Sequence, residues 1–212
     1  MMKPTRLHYV YDPLCGWCYG AAPLLKAAAA LPGLAVALHA GGLWLGARRQ
    51  PMWPALRAAV RPHDERIAAL SGQLFGERYR DELLLDTRLT LDSEPPIRAL
   101  LAVSALGGDA LALLHRLQET HYRDGLWIGD IDRLVLLAQE IGMDASTFRQ
   151  AYAAAPLTAY LAESQQWLQR IGGHGYPTLA LARQDQLLAI DVGAFLGQPA
   201  AFAHHLAGLL DG

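Results

Sequence analysis

The chain has two cysteines, and they stand three apart in Cys15-Gly16-Trp17-Cys18. That spacing suits the making and breaking of a disulfide between neighbours. Side chains three apart on a helix lie ~5–6 Å apart at Cβ, and a disulfide closes that gap to ~3.8 Å. The first turn of a helix therefore forms or releases the bond with small adjustments. A sulfur at the head of such a turn also faces unpaired N–H groups and the positive end of the helix dipole. Both favour thiolate, and thiols so placed have pKa values of roughly 3.5–7.5 against about 8.5 for a free cysteine. Cys15 is expected to be the attacking thiolate, and Cys18, one turn inside, the resolving thiol. Gly16 leaves room for a partner's backbone, and Trp17 offers an apolar surface beside the sulfur.

Other uses of the pair fit less well. A bond across so short a loop does little to the unfolded chain, and a secreted disulfide scaffold would spread more cysteines along the sequence. Structural zinc needs four ligands. The sequence has no second Cys pair and no His-x3-His pattern, and His204 and His205 are adjacent, so no metal is expected. Haem attachment needs a histidine after the second cysteine, where Tyr19 stands. Two inert buried cysteines remain open, though a strand-to-helix junction is an unusual place for them.

The elements that must hold the dithiol follow from the flanking residues. Leu7 to Tyr11 is a short strand stopped by Asp12-Pro13. Tyr19 to Leu31 is Ala- and Leu-rich, which favours helix, with Pro23 expected to bend it. Pro32-Gly33 ends that helix, and Leu34 to His39 reads as a buried strand. From Met52 to Ile171 no convincing strand is found. Helices are expected over 66–84, 96–106, 110–122, 132–141, 146–154 and 158–171. Thr178 to Ala182 and Leu187 to Ile190, joined by a polar turn through Asp185, read as a hairpin, and 199–210 as a closing helix. The fold class is α/β: β-α-β, a helical block, then β-β-α. Residues 1–51 and 172–212 are expected to form one domain and 52–171 an inserted helical domain.

With 212 residues, 52% hydrophobic and 18% charged, the chain can bury a core and is not disordered. A net charge of −2 gives no reason to expect nucleic acid or an acidic membrane as partner. Within residues 1–54, Lys3, Arg6, Lys26, Arg48 and Arg49 face one acid, Asp12, a local basic excess that also favours a thiolate. Met1 to Val10 lacks the apolar run of a secretory signal. The longest apolar stretch, 27–46, is broken by Pro32-Gly33, His39 and Gly41-Gly42. A soluble, cytoplasmic protein is expected.

Gly172-Gly173-His174-Gly175-Tyr176-Pro177-Thr178 is a second constellation, with a strand starting at once behind it. It reads either as a turn with a cis proline or as a glycine helix stop followed by a breaker. Asp12 is either an acid–base group near the dithiol or, as half of an Asp-Pro pair, a cap for the turn. Trp44, Trp53, Trp127 and Trp167 could line a peptide groove, but scattered tryptophans are more often core, as are His39 and His121. His174 lies near the proline turn.

Together the two constellations resemble the thioredoxin superfamily, and the order of elements resembles its DsbA branch, which carries a helical block between its two halves. Tyr11-Asp12-Pro13-Leu14-Cys15-Gly16-Trp17-Cys18-Tyr19-Gly20 looks most like the FrnE-type thiol–disulfide oxidoreductases. The resemblance implies a thioredoxin-like fold, a cis Pro177 beside the dithiol, and backbone groups of Tyr176 offered to the bound partner. It makes Cys15 the exposed nucleophile, Cys18 the buried partner, and the inserted helices a cover that helps choose substrates. Trp17, Tyr176 and Pro177 would then touch substrate, with Gly16 and Asp12 in support. The implied activity is exchange with a protein or small-molecule disulfide or dithiol, with no cofactor beyond the Cys15–Cys18 pair and with glutathione open as reductant. The middle pair Gly-Trp differs from the Pro-His of periplasmic DsbA, so strong oxidising power is not carried over. A related branch, the kappa-class glutathione transferases and chromene-carboxylate isomerases, is the alternative; it has serine at the first position, where this chain has Cys15.

Overall fold

The computed structural model describes residues 5–184 and 186–211, so Lys3 and Asp185 of the sequence readings above fall outside it. Strand β1 (Arg6–Tyr11) is buried along all but its first residue. That is the signature of a central strand covered on both faces. Asp12 and Pro13 end it, and α1 (Gly16–Ala29) follows with Pro23 inside. β2 (Ala35–Ala40) returns parallel to β1, with Leu7 opposite Val36 and Tyr11 opposite Ala40.

The chain then leaves the sheet. β3 (Gln50–Pro51) leads into α2 (Pro54–Ser71) and α3 (Glu77–Asp81). β4 (Thr90–Leu91) pairs antiparallel with β3. Helices α4 (Glu94–Ala105), α5 (Ala110–Gln118), α6 (Ile131–Glu140), α7 (Ala145–Ala154) and α8 (Leu157–Ile171) complete the block. β5 (Thr178–Arg183), β6 (Gln186–Ile190) and α9 (Pro199–Asp211) close the chain. The main sheet has the order β2-β1-β5-β6, with β5 antiparallel to β1 and β6 antiparallel to β5.

Three sequence expectations need correction. The stretch 52–171 is not strand-free, because β4 pairs with β3. The helix expected over 66–84 instead starts at Pro54, whose fixed φ and missing N–H suit a first helical turn. It stops at Gly72, which takes φ 73° and sends its N–H back to the Ala68 carbonyl, an αL cap that a residue with a Cβ would adopt at a cost. Finally, the helix expected over 110–122 is regular only to Gln118 and continues as a π-helical turn over Glu119–Arg123. That turn buries His121 and Tyr122.

The sheet and the helical block share one continuous apolar cluster, to which Leu7 and Tyr9 of β1, Leu24 of α1, Ile67 of α2, Ile97 of α4 and Phe202 of α9 all belong. Helix α1 lies close against α2. A Cβ at Gly20 would sit 2.8 Å from Ile67 Cγ2, so the bare glycine sets the approach of the two helices.

Candidate active site

Four residues, Asp12 to Cys15, join β1 to α1, and Cys15 is the last of them. Its backbone is extended, with φ −101° and ψ 113°, and its carbonyl accepts from the N–H groups of Cys18 (3.0 Å) and Tyr19 (3.1 Å). Cys15 is thus the N-cap of α1, with its side chain at the positive end of the helix. The pairing of β1 with β5 puts Val10 opposite Thr178. The residues just before β5 therefore lie beside the residues just after β1. Tyr176–Pro177 is a cis peptide bond, and the Cys15 thiol donates to the Tyr176 carbonyl at 3.6 Å. The Tyr176 ring rests on the loop after β2, where a Cβ at Gly41 would collide with it.

The two sulfurs are free thiols in different surroundings. Cys15 is 6% exposed and Cys18 not at all. Burial pushes the Cys18 thiol well above its ordinary range. Its hydrogen bond to Cys15 adds to the rise, and the backbone N–H of Asp12 offsets part of it. Below it, the Tyr9 hydroxyl donates to the Cys18 carbonyl at 3.4 Å.

Asp12 caps the turn and also ties it to distant elements. Its Oδ1 accepts from the Leu14 N–H (2.8 Å) and the Ser93 hydroxyl (3.0 Å), and its Oδ2 from the Leu43 N–H (2.6 Å). Burial nonetheless raises the carboxyl to about 6, against the pull of those three donors and of Arg48. The charge of Arg48 thus reaches the site, and its guanidinium donates to the Gly42 carbonyl at 2.7 Å.

Two cavities flank the dithiol, and Trp17 lines both. The one on the proline side has 470 Å³ and is bordered by Tyr176, Pro177, Gly173 and Asp191. The other, of 230 Å³, lies against the helical block and is lined by Cys15, Gly16, Trp44, Asp64, Tyr79 and Tyr122 among mostly apolar neighbours. Asp64 Oδ2 accepts from the Tyr79 hydroxyl at 2.9 Å, and Oδ1 sits 3.2 Å from where a Cβ at Gly16 would be. Burial raises this carboxyl to about 7; the Tyr79 bond opposes the rise and Glu65 adds to it.

The structure thus brings together Cys15, Gly16, Trp17, Cys18, Asp12, Tyr176 and Pro177. His174 is exposed and lines neither cavity. Trp44 reaches the smaller cavity and donates its indole N–H to the Leu14 carbonyl at 3.4 Å. Trp53 is half exposed, Trp127 packs near His121, and Trp167 stacks on His8, so none of the three lines either cavity. His121 is buried and lines the smaller cavity. Sequence reasoning missed Tyr9, Ser93, Asp64 and Tyr79. Asp64 stands in the charged run Arg61-Pro62-His63-Asp64-Glu65-Arg66, where nothing marks one acid as buried. Among the described residues no cluster of three or more His, Cys, Asp or Glu side chains could hold a metal ion, and no helix is long and apolar enough to cross a membrane.

A family model described as a DSBA-like thioredoxin domain matches residues 6–201. The structure of the cytosolic disulfide reductase DsbM from Pseudomonas aeruginosa is 45% identical, with TM-score 0.91 over 97% of this chain and 98% of that one. A second structure of DsbM from Pseudomonas aeruginosa, with GSH, is 44% identical, with TM-score 0.88 over 97% and 99% of the two chains. A structure from Nitrosomonas europaea, 22% identical with TM-score 0.81 over 99% of this chain and 100% of that one, shares the fold. No curated protein matches the chain. The chain belongs to the DSBA-like thioredoxin domain family, as a disulfide oxidoreductase of the DsbA type.

Proposed function

We propose that Cys15 and Cys18 are the reacting dithiol, that the protein works in the cytoplasm as a reductase of protein or small-molecule disulfides, and that glutathione resupplies its electrons. One observation carries this: Cys15 caps a helix with its thiol on the Tyr176 carbonyl, while Cys18 lies sealed behind it. The Cys15 thiolate attacks one sulfur of the substrate disulfide. The old S–S bond breaks, the far sulfur leaves as a thiolate, and a mixed disulfide with Cys15 forms. Cys18 then attacks the Cys15 sulfur while its proton passes to the departing substrate sulfur, which releases the second substrate half as a thiol and closes the Cys15–Cys18 bond. Two glutathione molecules reverse the oxidation, the first by forming a mixed disulfide at Cys15, the second by leaving with the first as their disulfide.

The remaining site residues have roles that follow from position. Tyr176 presents backbone polar groups to an extended segment of substrate, and Trp17 and Pro177 border the cavity in which that segment would lie. Gly16 leaves the path to Cys15 open, and Asp12 holds the turn. Glutathione as reductant is supported by the DsbM structure with GSH, at 44% identity. The cytoplasm keeps thiols reduced, which suits a disulfide reductase.

With reduced glutathione as the sole electron donor and insulin as substrate, the wild type should reduce the disulfides. Cys15→Ser should be inactive, and Cys18→Ser should lose roughly 10²-fold or more, because escape from the mixed disulfide becomes intermolecular. Retained glutathione-dependent turnover in Cys15→Ser would overturn the dithiol mechanism in favour of the transferase or isomerase alternative.

A further inference from the structure

Thiol exchange with an ordinary alkyl disulfide has a proton problem at neutral pH. The leaving alkyl thiolate has a conjugate-acid pKa near about 8.5, so it departs more easily if a proton arrives with it. The same group must lose that proton when an external thiol enters. Two buried carboxyls lie near the dithiol, and geometry separates them. Asp12 is fully buried, and its two oxygens already take three donors, so it cannot meet an external sulfur. Asp64 spends Oδ2 on the Tyr79 hydroxyl and turns Oδ1 toward Gly16, in a cavity whose wall it shares with Cys15. Gly16 allows this approach, since even a Cβ there would come within 3.2 Å of Oδ1.

We propose that Asp64, on the inserted helix α2, exchanges the proton with the substrate sulfur in the cavity beside Cys15. This rests on the oxidoreductase reading above and adds a residue to it. In the forward step the Cys15 thiolate, the substrate disulfide and the neutral Asp64 carboxyl give the mixed disulfide, a free thiol and the Asp64 carboxylate. Two electrons move from the Cys15 sulfur into the new S–S bond, and the leaving sulfur takes the electron pair of the old bond and the Asp64 proton. When glutathione enters, the Asp64 carboxylate takes its thiol proton, and the thiolate attacks the Cys15 sulfur of the closed disulfide. Cys18 departs with the bonding pair and takes up a proton from water, while the Asp64 carboxyl stays neutral for the next forward step.

The groups around Asp64 fit a proton that comes and goes near neutrality. Tyr79 of α3 donates to it, Glu65 on its own helix raises it, and its carboxyl lies at about 7. Tyr122 of the π turn is held protonated by burial, and Cys15 and His121 share the cavity wall. His121 is itself lowered to about 3 by burial, so it stays neutral at neutral pH. His63 stands at the exposed rim, and Arg66 lies 5.8 Å above the Trp17 ring.

The test compares leaving groups in single-turnover oxidation of the reduced full-length protein. An alkyl disulfide such as cystine needs a proton for its leaving sulfur, and an aromatic disulfide whose thiolate is a stable anion does not. Asp64→Asn should slow the alkyl reaction roughly 10²-fold and leave the aromatic one nearly unchanged. The alkyl rate of the wild type should fall as pH rises through about 7. Tyr79→Phe, which removes the bond that favours the carboxylate, should move that fall to higher pH. Equal slowing of both substrates by Asp64→Asn, or slowing of neither, or an unmoved fall in Tyr79→Phe, would overturn the proposal. A wild-type dithiol that reduces neither substrate would instead sink the oxidoreductase reading, and this proposal with it.

Discussion

A carboxyl withdrawn from solvent is driven toward its neutral form unless enough donors surround it. Asp12 is held between those two pressures, fully buried yet accepting from Leu14, Leu43 and Ser93. Each donor comes from a different segment: the turn before Cys15, the loop after β2, and the start of α4. Asp12→Ala would leave two backbone N–H groups buried without an acceptor, at a cost of about 3 kcal/mol. Ser93→Ala removes one donor and should cost about 1 kcal/mol. Urea unfolding of both variants checks this, and an Asp12→Ala protein as stable as wild type would show that the carboxyl holds nothing together. The closeness of the two cysteines was legible in the sequence because it depends on a local spacing, as does the chemistry proposed for them. Asp12 was half legible: the turn cap is local, but its bonds to Leu43 and Ser93 depend on closure of the fold.

At the scale of elements, β1, β2 and α8 meet at a histidine pair that has no part in the proposed chemistry. His8 Nδ1 lies 2.9 Å from His39 Nε2, Trp167 stacks on His8 at 3.7 Å, and Arg170 lies over the Trp167 ring. Burial lowers His8 to about 4, helped by Arg6 and Arg170, and lowers His39 to about 4, helped by His8. Both folded values lie below the unfolded one of about 6.5. The pair therefore contributes stability that is present above about pH 6.5 and is lost as pH falls through about 4. Asp12 and Asp64, whose values are raised, act in the opposite direction, gaining relative stability as they protonate. The pair is thus best isolated by difference. Between pH 7 and 4 the stability of the wild type should fall relative to that of a His8→Gln/His39→Gln variant, followed by urea midpoints. Parallel curves would mean that the pair does not titrate in this window. From the sequence His39 reads as a core histidine and His8 only as part of a strand, since which strand neighbours which is what brings the two together.

On the scale of the whole molecule, both halves of the sheet were legible because their patterns are local: apolar runs, glycine and proline stops, a polar turn. The helical block was legible in kind, but the boundaries near the site were not. A helix read from residue 66 hides that Pro54 starts α2 and Gly72 ends it. It therefore hides the face on which Asp64 meets Gly16. The π turn at Glu119–Arg123 was equally invisible, because it departs from helical spacing only where Tyr122 and His121 turn inward. What the molecule achieves by folding is to set a sulfur from near its start against a carbonyl from near its end, with the second sulfur sealed behind. The most direct measurement is the intact mass of Cys18→Ser after incubation with oxidised glutathione, followed by peptide mapping. A single glutathione held by a disulfide at Cys15, and released by dithiothreitol, is the predicted result. A Cys18→Ser protein that stays unmodified while remaining folded would contradict a reachable, reactive Cys15.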